Sequence, residues 1–99
     1  MADTSKVRAI AFAWFRAESY QRIREISDDD MVPTFEEFES KNAERLAQLR
    51  ARGVILEKVI VDPDELLAFA RQRHGGKIDS NVRAEFAAWL FAKKQAPNH

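Results

Sequence analysis

Bulky and small apolar residues alternate near the start of the chain. Over residues 7–15, Ile10, Phe12 and Trp14 fall on one face of a pleated strand, and Ala9, Ala11 and Ala13 fall on the other. Alanine is a poor strand former, so a helix competes for the same residues. As a strand, the segment is apolar on both faces and is expected to be buried on both sides. Its alanine face would let a helix approach closely, and its Ile/Phe/Trp face needs a second covering layer.

The period then changes. Residues 17–27 place Tyr20, Ile23 and Ile26 at helical spacing, and Asp28, Asp29, Asp30 and Pro33 end that helix. Thr34 with Glu37 three residues later is a capping box for a long second helix. This helix carries Phe35, Phe38, Leu46 and Leu49 on one stripe, acids early and arginines late, as its dipole favours. Gly53 supplies the left-handed stop. Residues 54–62 are rich in Val and Ile and form a strand, and Glu57 with Lys58 in its middle marks it as an edge. Asp62 and Pro63 open a third helix, which runs to Arg73 with Leu66, Leu67, Phe69 and Ala70. A last helix starts near Asp79 or Ser80 with a stripe of Val82, Phe86, Trp89 and Leu90, closed by Lys93 and Lys94.

The predicted order is therefore β-α-α-β-α-α, a helix-rich α/β domain. Two strands joined by a long helical crossover are expected to lie parallel, giving a small two-stranded sheet covered by helices. Such a sheet is marginal alone and leaves the first strand an open edge. Pairing of two copies, or tight packing of the last helix, would deal with that edge; a homodimer with a continuous four-stranded sheet is the sharper version. One domain spans residues 1–99, with a core over 6–94 and flexible tails at 1–5 and 95–99.

Composition narrows the function. The 99 residues include seven Phe, two Trp and one Tyr, enough large apolar surface for a core and against disorder. No cysteine is present, which removes disulfides and thiolate metal sites. No apolar run reaches the roughly 20 residues that cross a bilayer, and the N-terminal segment lacks the pattern of a cleaved leader. A soluble cytoplasmic protein without cofactor, metal or membrane is expected. The 16 basic and 16 acidic residues cancel, which disfavours nucleic acid as a partner. The signs nonetheless separate, with acids at 28–39 and a basic C-terminal third that holds Arg71, Arg73, Lys77, Arg83, Lys93 and Lys94.

Candidate chemistry is sparse. The stretch ARQRHGGKID combines two glycines with four basic side chains. A phosphate-cradling loop, however, follows a strand and opens a helix, whereas this stretch follows a helix and leads to a cap at Asp79. It is read as a helix stop. The SDDDM run lacks the alternation of a calcium loop and is read as a solvated linker. Neither His74 nor His99 has the neighbours for a triad or a zinc site. Glu57 would become a functional carboxylate if it faced the core; otherwise it faces solvent or pairs with Lys58 across a dimer sheet.

Three functional readings follow. The leading one is a non-enzymatic homodimeric interaction or regulatory module, with Phe91, Glu57 and Lys58 at its interface. Phe91 belongs there because it points away from the main stripe of its helix. The second is a small anionic-ligand binder or modest enzyme at the C-terminal ends of the strands, where parallel sheets place their crevices. Arg16 would anchor the anion, with Ser19 and Tyr20 as donors, Trp14 as a wall and Asp62 nearby. The third is nucleic-acid binding through the basic C-terminal third.

Overall fold

Two strands pair in parallel: β1 (Ala9–Trp14) and β2 (Ile55–Ile60), with Ala9 opposite Ile55 and Trp14 opposite Ile60. The computed structural model describes residues 9–95, so the expected tails at 1–5 and 95–99 lie outside it apart from Gln95, which ends the last helix. A single 3-10 turn, Ala17–Ser19, leads into α1 (Tyr20–Ile26), followed by α2 (Phe35–Ala51), β2, α3 (Pro63–Arg73) and α4 (Ser80–Gln95). The order is the one the patterning predicts, and β1 is a strand rather than the competing helix.

The expected caps form. The Thr34 Oγ1 accepts the Glu37 N–H at 3.1 Å and its hydroxyl donates to Glu37 Oε1. Asp62 Oδ2 accepts from the Glu65 N–H at 3.1 Å, and Asp79 Oδ1 accepts from the Val82 N–H at 3.0 Å. At the double glycine, the backbone turns left-handed at Gly75 (φ 62°) and Gly76 (φ 89°). The Gly76 N–H returns to the Ala70 carbonyl at 3.0 Å, closing α3 as a helix stop.

The alanine face of β1 does what its small side chains allow: α4 packs against it. Beyond the strand ends, Phe15 and Val61 continue into the main core with Tyr20, Ile23, Leu66, Ile78 and Phe86. Trp14 and Leu46 are buried apart from that core. The Trp14 ring lies 4.8 Å from Phe38, which fastens α2 over the Ile/Phe/Trp side of the sheet. Phe15 and Tyr20 meet Phe38 as well, at 5.1 and 5.7 Å.

Burial of the sheet differs from expectation. Within β1 only Trp14 is buried, and Ile10 stays 38 % exposed. The helices close over the C-terminal ends of the strands, where the aromatic residues sit, and leave the N-terminal ends open.

Close approach of α4 to β1 depends on residues with no atom past Cβ, Ala87 among them, which is fully buried. Ala87→Leu should destabilise the domain by about 1–3 kcal/mol through overpacking, read as a lowered urea midpoint with an unchanged slope.

Candidate interaction surface

The register determines which backbone groups remain free. The Val61 N–H donates to the Trp14 carbonyl at 2.9 Å, so odd-numbered residues of β2 turn their N–H and C=O toward β1. By alternation, Leu56, Lys58 and Ile60 turn theirs to the open side. On β1 the open-side residues are Ala9, Ala11 and Ala13. No third strand pairs with either edge among the described residues.

Side chains tell the same story. Among the described residues, Ile10, Ile55 and Ile60 are the large hydrophobic residues that stay exposed, at 38, 51 and 41 %, and all three lie on the two strands. On the alanine side of β2, a groove of about 670 Å³ runs between the strand and α4, lined by Glu57, Val59, Glu65, Leu90, Phe91 and Lys94. Lys58 borders it too, so the groove gathers the three residues expected at an interface, Phe91, Glu57 and Lys58. Phe91 is half-buried and Glu57 is exposed. An exposed Glu57 is not the core-facing carboxylate that acid–base chemistry would need.

Alternation separates Glu57 from Lys58. The Lys58 ammonium lies 4.1 Å from the centre of the Trp14 ring, on the side opposite Glu57. Residues directly opposite each other in a two-fold antiparallel pair share a face, so Glu57 and Lys58 cannot be the cross-dimer pair expected from the sequence.

None of the candidate ligand-site residues lines this groove or the smaller cleft between α3 and α4. Arg16 is exposed. Tyr20 is buried, its hydroxyl donating to the Val32 carbonyl at 2.6 Å, and burial pushes its phenol pKa up. The Asp62 carboxylate is occupied as a helix cap, Trp14 is buried against Phe38, and Ser19 sits in the 3-10 turn.

The SDDDM run is corrected. Asp29 is no solvated linker residue: Arg83 donates to its two oxygens, Nη1 and Nη2 each at 2.8 Å. Arg83 Nη1 also reaches Ser27 Oγ at 2.9 Å, and Asp28 Oδ2 accepts the Ile78 N–H at 2.8 Å. The segment thereby clasps the start of α4. Sequence reasoning counted Arg83 only as one of the charges of the basic C-terminal third, yet it is buried beside Val82, Phe86 and Ala87. An arginine on the apolar side of a helix was the available signal.

The remaining basic residues are partly absorbed within the molecule. The Arg73 guanidinium lies over Phe69 at 4.9 Å and Trp89 at 5.4 Å. Lys93 lies over Trp89 at 4.5 Å, and His74 Nε2 is 2.9 Å from Glu85 Oε1. No group of three or more His, Asp or Glu side chains gathers among the described residues as a metal site requires. None of their helices is long and apolar enough to cross a membrane. Set against known protein families, curated proteins and solved structures, the chain shows no match.

Hydrogen bonds from Arg83 hold the Asp29 carboxyl below the usual carboxylate range, partial burial opposes them, and the Arg83 charge adds to the lowering. A depressed folded-state pKa contributes stability above the unfolded pKa and loses it as pH falls through the folded value. Asp29→Asn should therefore flatten the acid limb of the stability–pH curve. Asp29→Ala, which leaves Arg83 without its partner, should cost roughly 2–4 kcal/mol at neutral pH by chemical denaturation.

Proposed function

We propose that the chain acts as a non-enzymatic interaction or regulatory module that works as a homodimer through its sheet. The observation that supports this most is the placement of Ile10, Ile55 and Ile60. A folded domain that buries Phe15, Tyr20 and Phe86 leaves its exposed large apolar side chains on two strands whose outer edges have no partner. Parallel sheets occur almost only with both faces covered, and an unpaired apolar edge is a template for another strand. A second copy supplies the missing strand.

The charge pattern supports the same reading. Zero net charge keeps two copies from repelling each other at long range. The candidate ligand residues, in contrast, are largely consumed: Tyr20 and Asp62 by hydrogen bonds and Trp14 by packing.

Native mass spectrometry at low micromolar concentration tests the proposal. The expected species is a dimer without added small-molecule mass. A monomer at all concentrations, or a monomer that retains a ligand, would overturn it.

A further inference from the structure

The two edges of the sheet are not equivalent, and the difference selects one of them. β2 carries Glu57 and Lys58 at its centre, whereas no residue of β1 from Ala9 to Trp14 is charged. A two-fold axis perpendicular to the sheet pairs a strand with its copy in antiparallel fashion and keeps each face on its own side. Only registers that oppose residues of the same parity are then allowed.

For β2, the two allowed registers of greatest overlap put Lys58 opposite Lys58 of the second copy or Glu57 opposite its own equivalent. Like charges directly opposite destabilise a strand pair, and a central lysine is a usual guard of an edge. For β1, a register centred on Ala11 opposes Ala11 to itself and Ala9 to Ala13. Those are the three residues whose N–H and C=O groups face outward, so every free group of that edge finds a partner. The same register sets Ile10 opposite Phe12 in the closer, non-hydrogen-bonded pairs, an aromatic–β-branched combination that stabilises sheets. Ile10 is among the exposed residues and Phe12 is half-buried, so both have surface to lose.

We infer that the partner of this edge is a second copy of the chain, joined β1 to β1 and centred on Ala11, in a sheet ordered β2-β1-β1-β2. The inference rests on the dimer reading above and adds which edge pairs and in what register. The two-fold axis brings the second α4 to the same side of the sheet as the first. β2 stays at the outside with Lys58 and Glu57 on guard, so association stops at two.

Amide exchange of the unmodified protein, followed residue by residue by NMR, reads the edge directly. The Ala9, Ala11 and Ala13 amides should slow as concentration rises through the dimer range, while Leu56, Lys58 and Ile60 stay fast. Cysteine substitution reads the register, because the chain has no cysteine of its own. Ala11→Cys should oxidise to a covalent dimer, its Cα atoms lying about 5.5 Å apart across a hydrogen-bonded pair, within disulfide reach. Ala9→Cys and Lys58→Cys should not. A dimer in which the Lys58→Cys chains cross-link, or the β2 amides slow and those of β1 do not, would overturn the edge assignment and leave the dimer standing. Cross-linking at Ala9→Cys without Ala11→Cys would overturn the register. A monomer by mass would overturn both this inference and the function it rests on. Should Ala11→Cys fail to fold, amide exchange of the unmodified chain decides the edge.

Discussion

Parallel pairing of β1 with β2 is the constraint on which the rest depends. Strands that run the same way cannot be joined by a tight turn, so α1 and α2 must carry the chain from the end of one back to the start of the other. That crossover delivers Phe38 to Trp14 and Phe15 at the end of β1, and Phe35 to Tyr20 at the start of α1. The second pair of helices then fills the other face, where Ala11 and Ala13 let α4 come close. With two strands, half of the backbone groups of each turn outward, where no third strand pairs with them among the described residues. The open edges follow directly from the topology.

A second physical theme is the internal use of charge. Nearly a third of the residues are charged, yet several of the most suggestive ones serve the fold. Arg83 binds both Asp29 oxygens, Lys58 covers Trp14, and Arg73 and Lys93 lie over the Trp89 side chain. The clasp between Asp29 and Arg83 links residues far apart in sequence and fixes the connection between α1 and α2. It therefore helps position the helix that covers one side of the sheet. Breaking it loosens that cover without touching the strands.

Most elements were legible because their signals are local. Thr34, Asp62 and Asp79 cap the helices that begin after them, and Gly53 and Gly75–Gly76 end those before them. The alternation of Ile10, Phe12 and Trp14 with alanines identified β1 despite the low strand propensity of alanine, because tertiary packing rewards the small face. Phe91, Glu57 and Lys58, the residues expected at an interface, border one groove beside α4, although Glu57 and Lys58 project from opposite faces of β2. Of the candidate ligand residues, Tyr20 looked like an available donor, but its hydroxyl donates to the Val32 carbonyl twelve positions away.

The sequence by itself determined the order of elements, their caps and stops, and the two faces of β1. Period, propensity and capping chemistry act over a few residues and need no knowledge of what folds against them. Only the tertiary structure decided that Asp29 meets Arg83, that the helices cover the strand ends unevenly, and that Glu57 and Lys58 diverge to opposite faces beside different neighbours. Those outcomes depend on where distant segments come to rest. Register alone then determines which three residues on each strand turn their hydrogen-bonding groups to the open edge.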